Sequence, residues 1–227
     1  MYKAVVFDID GTLIDSVDLH AMAWQEALRN WGYEITFEDV RRQVGKGGDQ
    51  LMPVFVPAND LERHGEEISE YRSQLFKRKY LPMVKPFSAV PELLRRISDE
   101  GLKIALASSA KGDELDAYKK LAGVADLVQD ETSKDDVHRS KPFPDVFSAA
   151  LEKLGDVDPE DAVAVGDTPY DAEAAGKLGL PIIGMLSGGW REDELRKAGC
   201  FAVYRGPADL LGHFEESPLA VRARKAA

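Results

Sequence analysis

Lys3-Ala-Val-Val-Phe-Asp-Ile-Asp10, with the Gly11-Thr12 turn that follows, is the stretch on which the reading of this 227-residue chain depends. Ala4 to Phe7 form a short apolar run of the kind found in a strand buried on both faces, yet the run ends in two carboxylates one residue apart. Burying a lone acid there is costly. Side chains alternate along a strand, so Asp8 and Asp10 point the same way while the chain stays extended, and Gly11 lets it leave sharply. Two converging carboxylates at the C-terminal end of a strand suit a hard divalent cation with oxygen ligands, and Mg2+ is the expected ion.

Composition sets the frame for that site. With 44% hydrophobic residues the chain can bury a substantial core, and 29 Lys+Arg against 40 Asp+Glu give a formal charge of -11. Such a field repels nucleic acid and anionic membranes, so neither is expected as a partner, and any anionic substrate must be held by local cations. No apolar stretch approaches the length that spans a bilayer. Cys200, the single cysteine, cannot pair within the chain and reads as a buried structural residue. A polar Met-Tyr-Lys opening directly onto a core strand lacks a signal-peptide pattern, and a cytoplasmic location is expected. A monomer or a homodimer is expected.

Beyond Gly11 the texture is helical. Val17, Ala21, Trp24, Leu28 and Trp31 recur at spacings of four and three, with Asp15 or Ser16 as the cap and Gly32 as the end. Thr36 and Asp39 open a short helix running to Val44. Gly45-Lys-Gly-Gly48 breaks the pattern, and helical spacing resumes near Leu51 and again from Leu61 to Lys79. Between Asp15 and about Lys79 there is no strand pattern. From Ser88 onward short apolar strands alternate with helices: strands at Leu102 to Ala107, Ala162 to Val165, Pro181 to Met185 and Phe201 to Tyr204, with an apolar segment at Leu127-Val128. This predicts an α/β fold, a doubly wound parallel sheet covered on both faces, with an inserted all-helical domain. The expected division is residues 1–14 and 87–227 for the sheet domain and 15–86 for the helical insertion. Ser217 to Ala227, small and basic, reads as a fraying end.

The strands' C-terminal edge collects further polar residues. Ser108 and Ser109 follow the second strand, where hydroxyls and freed backbone N–H groups can hold an anion. Lys141, in Ser140-Lys-Pro-Phe-Pro144 before a helix, is pinned by its prolines and can set an ammonium against a phosphate and Asp8. Val165-Gly-Asp-Thr-Pro-Tyr-Asp171 again empties an apolar strand into acids, with Asp167 facing the cation and Asp171 acting through water or hydrogen bonds. Separate chain segments converge on one cation and phosphate site.

These residues together resemble the haloacid dehalogenase superfamily of phosphotransferases: Asp8-Ile-Asp-Gly-Thr12 for its first motif, Ser108 for the second, Lys141 for the third and Gly166-Asp-Thr-Pro-Tyr-Asp171 for the fourth. The resemblance spans nearly the whole chain and implies a Rossmann-like core with a small helical cap. It implies Asp8 as the nucleophile forming an aspartyl phosphate, Asp10 as general acid and then base, and Ser108 and Lys141 as phosphoryl holders. The Asp8 and Asp167 carboxylates and the Asp10 backbone carbonyl would bind the metal, with Asp171 behind them. Gly11, Thr12, His20, Lys46 and Ser109 are the expected substrate-binding residues, with Lys79 a further candidate at the end of the cap.

A Mg2+-dependent phosphatase of a small phosphorylated metabolite, similar to phosphoglycolate phosphatases, is the leading expectation. A sugar-phosphate mutase resembling beta-phosphoglucomutase is the alternative, since Asp10, His20 and Trp24 fit it, although Gly166 stands where the mutase has a further acid. A phosphonoacetaldehyde hydrolase using a cap lysine ranks lower, because nothing apolar is evident near Lys46 to depress its pKa. A non-catalytic phosphate binder or a phospho-aspartate signalling protein ranks lowest. Signalling receivers carry their aspartate on a later strand and lack the helical insertion.

Overall fold

The computed structural model describes residues 2–108, 112–133, 137–155 and 157–220. Six parallel strands form the central sheet: β1 (Ala4–Phe7), β4 (Lys103–Ala107), β5 (Asp130–Thr132), β6 (Ala162–Gly166), β7 (Ile182–Met185) and β8 (Ala202–Tyr204). Their order is β5-β4-β1-β6-β7-β8, so β1 lies inside the sheet with β4 and β6 as neighbours. Every residue of β1 is buried, as its unbroken apolar run requires.

Alternation along β1 divides the core in two. Val5 and Phe7 join the layer built with α5 (Val90–Asp99), α6 (Gly112–Ala122) and α10 (Pro207–Gly212). Ala4 and Val6 face the layer of α7 (Asp145–Leu154), α8 (Pro169–Gly176) and α9 (Glu192–Ala198). Cys200 is buried in this second layer, and burial pushes its thiol up to about 12, as expected of an inert structural cysteine.

A two-residue ribbon, β2 (Ile14–Asp15) against β3 (Lys85–Pro86), brackets the helical insertion. Between them lie α1 (Val17–Asn30), α2 (Phe37–Arg41), α3 (Gly48–Phe55) and α4 (Ala58–Leu75), packed around Val17, Trp24, Leu28, Val40, Leu51 and Ile68. Thr36 caps α2 by accepting from the Asp39 amide at 3.1 Å, and α2 ends at Arg41, short of Val44. The last helical stretch is broken in kind: α4 stops at Leu75 and Phe76–Tyr80 form a π-helical turn.

Three further features differ from the sequence reading. Leu127 closes a 3-10 turn, and the adjoining strand is the polar Asp130–Thr132. β5 is an edge strand paired only with β4, so it does not need an apolar sequence. Ser16 stands at the start of α1, but its hydroxyl makes no cap bond and instead donates to Asp10 Oδ1 at 2.5 Å. The end of the chain is described to Ala220, with Ser217 and Leu219 buried, so the fraying expected from Ser217 does not begin there; 221–227 lie outside the described residues.

Candidate active site

Strand register places the acids. Phe7 lies level with Leu106 and Val165, so Asp8, Ser108 and Asp167 leave three adjacent strands at one edge. β1 ends at Phe7, and the Asp8 amide still donates to Val165 O at 2.8 Å. Gly11, at φ +88°, turns the chain so that Thr12 Oγ1 reaches Asp8 Oδ2 and Asp167 Oδ1, each at 3.1 Å. A Cβ on Gly11 would collide with Asp167 Oδ2. Gly11→Ala is therefore expected to cost about 2 kcal/mol from backbone strain and collision, a fall in Tm of roughly 4–8 °C measurable by thermal denaturation. An unchanged Tm would contradict this account of the turn.

Lys141 comes from the loop before α7 and is about 1% exposed, beneath the acids. Its ammonium bonds Asp8 Oδ1, pairs with Asp171 Oδ1 at 2.7 Å and donates to Ala107 O at 3.2 Å. Burial alone would favour loss of its proton, but the Asp171 and Asp8 carboxylates outweigh that and raise its pKa. Asp171 is fixed from the other side, with Oδ2 accepting from the Thr168 amide at 3.0 Å and from Thr168 Oγ1 at 2.5 Å in a capping box on α8. It is Lys141's counter-charge, and its second oxygen is spent on the helix.

Asp8, Asp167 and Asp171 offer carboxylate oxygens within 4.8 Å of one another, all buried. Burial raises the Asp8 pKa to about 7, Lys141 works against the rise, and Asp171 and Asp10 add to it. Burial, then the charges of Asp8 and Asp171, drive Asp167 well above the usual carboxylate range. Asp167 Oδ2 is buried with no hydrogen-bond partner, and the cradle around it is made of Gly11 and Gly188, where any Cβ would collide with it. An orphaned oxygen among clustered acids fits a hard cation; of the expected metal residues, Asp8 and Asp167 lie in this cluster with Asp171, and Asp10 does not.

Above this centre sits a cavity of about 60 Å³ lined by Asp8, Asp10, His20, Trp24, the 44–48 loop, Arg72 and Glu114. Asp10 Oδ1 accepts from Ser16 and lies 2.8 Å from His20 Nε2. Burial would raise the Asp10 pKa, but the charge and hydrogen bond of His20, the Ser16 hydroxyl and Arg72 override it and hold it at about 2. His20 itself is clamped. Its ring stacks on Phe76 at 4.0 Å, Nδ1 receives Arg72, and Nε2 lies 3.0 Å from Tyr118 Oη. The clamp leaves Nε2 facing both Asp10 and the Tyr118 hydroxyl.

The cap closes down on this cavity through its glycines. Positions added at Gly45, Gly47 and Gly48 would strike Thr168, Ser140 and Trp24, and the Ser140 amide donates to Asp49 Oδ2 at 3.0 Å. Lys46 lines the cavity with its ammonium 2.6 Å from Gln43 Oε1 and 4.6 Å above the Tyr170 ring. Burial lowers its pKa, which corrects the expectation that nothing near Lys46 could do so: Tyr170 arrives from the distant α8.

Not every expected residue meets the cavity. Lys79 is exposed and paired with Glu26 at 2.5 Å, away from it. Ser108 is buried at the end of β4, with its amide bonded to Thr132 O at 2.9 Å. Ser109 lies outside the described residues. Sequence reading missed Arg72, Glu114 and Tyr118. Their signal was present: Arg72 stands midway between Ile68 and Phe76 on one helical face, and Glu114 and Tyr118 are four apart on α6.

Residues 5–185 match the haloacid dehalogenase-like hydrolase family. The chain belongs to that family. Over 186 residues it is 32% identical to a phosphoglycolate phosphatase of Aquifex aeolicus, covering 78% of this chain and 81% of the relative. A phosphorylated carbohydrates phosphatase of Thermotoga maritima is 26% identical over 94% of this chain and 99% of its own length. Among solved structures, a hydrolase from Pseudomonas syringae superposes with a TM-score of 0.87 at 31% identity, over 94% of this chain and 98% of that one. The protein is thus an enzyme of the haloacid dehalogenase-like type, with the parallel sheet and helical insertion of that fold.

Proposed function

We propose that this phosphoric monoester hydrolase acts on a small phosphorylated metabolite, with Asp8 as the nucleophile and residues 15–86 as the cap that shuts over the substrate. The observation that carries the reading is Asp8 itself, buried at the floor of the cavity with Lys141 on one oxygen and Thr12 on the other. A carboxylate approaching a phosphate dianion is repelled unless charge is neutralised first, and the Lys141 ammonium on Asp8 would supply that neutralisation. Mg2+, held by Asp8, Asp167 and the Asp10 backbone carbonyl, would supply further charge neutralisation on the phosphoryl oxygens.

In the first step a carboxylate oxygen of Asp8 bonds to phosphorus as the bond to the leaving oxygen breaks, and that oxygen takes its proton from Asp10. In the second, water loses a proton to Asp10 and attacks phosphorus, releasing phosphate and restoring Asp8. The contacts around Asp10 favour its ionised form and so suit the second step. For the first, the incoming dianion and loss of solvent push Asp10 toward protonation. Ser108 would hold the phosphoryl group, and Thr12 keeps Asp8 and Asp167 in register. His20 orients Asp10, and Lys46 contacts substrate from the cap. Oligomeric state does not enter this mechanism. A cytoplasmic setting accords with the single buried Cys200.

The test is phosphate release from a panel of esters that includes phosphoglycolate and β-glucose 1-phosphate, with and without Mg2+. Release that requires Mg2+ is expected, and Mg2+ at about 100 times its Kd should also stabilise the fold by about 2.7 kcal/mol, seen as a rise in Tm. No Mg2+-dependent release from any ester would overturn the reading. Isomerisation of β-glucose 1-phosphate without phosphate release would establish the mutase instead. Gly166 weighs against that outcome, since a Cβ there would lie 2.6 Å from the Asp171 Cβ and displace the partner of Lys141.

A further inference from the structure

We propose that Tyr170 is a positioning residue of the core: its ring fixes the Lys46 ammonium at the cavity with the charge intact, so that Tyr170 governs substrate binding without touching substrate. The inference rests on the phosphatase reading above, in which Lys46 meets the substrate from the cap, and deepens it.

Lys46 stands between Gly45, at φ +108°, and Gly47, and its four-carbon stem has more rotamer freedom than most side chains. Its ammonium must be held from outside if the cavity is to present a fixed charge. Gln43 Oε1 accepts from it at 2.6 Å, and the centre of the Tyr170 ring lies 4.6 Å from it. Both partners are uncharged. A carboxylate in the ring's place would hold the ammonium but cancel it, whereas an aromatic face attracts a cation through its quadrupole and leaves the charge to act on a bound substrate.

Tyr170 is itself firmly set. It follows Pro169 at the start of α8 and precedes Asp171, whose capping box with Thr168 locks the turn. Trp190 meets its ring edge-on at 5.9 Å, and its hydroxyl donates to Arg42 O, on the cap, at 2.7 Å. Arg42 in turn lies over Trp190 at 4.2 Å and pairs with Glu194 at 3.1 Å. Two aromatic residues of the core thus receive two cations of one cap segment. Lys46 lines the cavity and Tyr170 does not, so the ring is placed to aim the ammonium rather than to meet the substrate.

The test is a double-mutant cycle read with Mg2+ on whichever ester of the panel above is hydrolysed fastest. Tyr170→Leu is expected to raise KM by about tenfold with kcat within about twofold, the mark of binding lost equally from ground and transition states. Tyr170→Phe keeps the ring and should recover most of that loss. In a Lys46→Met background, Tyr170→Leu should change kcat/KM by less than about twofold, since no ammonium is left for it to act through. Equal factors in the two backgrounds would show that Tyr170 acts through its neighbour Asp171 or through cap packing, and would overturn the inference. So would a Tyr170→Phe variant that matches Tyr170→Leu, or a Lys46→Met variant with native constants, each leaving the phosphatase reading standing. Hydrolysis of no ester overturns both. Where Tyr170→Leu does not fold, the native protein decides: the ring should move the NMR signals of the Lys46 ε-methylene upfield of those of exposed lysines, and unshifted signals overturn the inference.

Discussion

Asp8→Asn is expected to lower phosphate release by about 10⁴-fold or more on every ester, because it removes the atom that bonds to phosphorus. The fold should survive. The carboxamide keeps the shape of the carboxylate, and Lys141 retains Asp171 at 2.7 Å as its counter-charge. The metal-free variant should in fact be the more stable protein at neutral pH. Burial lifts the Asp8 pKa from 3.8 to about 7, so between those values the folded protein holds a proton that the unfolded chain has lost. Stability from this group is then fully present below about pH 4 and falls as pH rises to about 7. Melting curves across that range in a chelator should show a steeper slope in the native protein than in Asp8→Asn, where the buried Asp167 still takes up a proton on folding. Rates that match the native enzyme would remove Asp8 as nucleophile, and identical pH slopes would refute the electrostatic account of its burial.

Lys141→Met is expected to have the next largest effect and to strike both fold and chemistry. It strips the ammonium from beneath Asp8 and Asp171 while Asp167 stays close by, leaving clustered buried acids without their cation. Breaking a buried pair by removing one partner costs about 3–5 kcal/mol. Activity should fall by about 10³-fold, since the nucleophile would then face the phosphate dianion without the lysine's charge. Because the lost charge is positive, Mg2+ should recover more Tm in Lys141→Met than in the native protein. Equal recovery in the two would show that the lysine and the metal centre are not electrostatically coupled. Lys141→Arg should not restore the rate, as a planar guanidinium cannot occupy the point where Asp8, Asp171 and Ala107 O converge.

Much of the site was legible because its residues sit at fixed offsets from strands. An apolar run such as Ala4 to Phe7 can only be buried, and the residue after a buried parallel strand must emerge at its C-terminal edge, which brings Asp8, Ser108 and Asp167 together before any coordinates are known. Glycine carries similarly direct information. Gly11 marks the turn that returns Thr12 to the acids, and the 45–48 loop is glycine-rich because the cap presses it against Ser140, Thr168 and Trp24.

Residues on helices were harder to read, because a polar side chain on a helix is informative only once the facing element is known. Arg72 looks like one more charge on a helix rich in them, yet its neighbours Ile68 and Phe76 turn it inward against His20. Glu114 and Tyr118 belong to a core helix more than forty residues from Arg72 in sequence and meet the cap only through the folded chain.

Taken alone, the amino-acid order determined the parallel sheet, the helical insertion and the acids and lysine of the centre, since periodicity and strand ends are local properties of a chain. Tertiary structure alone decided that Asp171 answers Lys141 and that Tyr170 dries Lys46. It also decided that Glu114 and Arg72 face one cavity, because charge balance in a buried site depends on neighbours that only folding brings together.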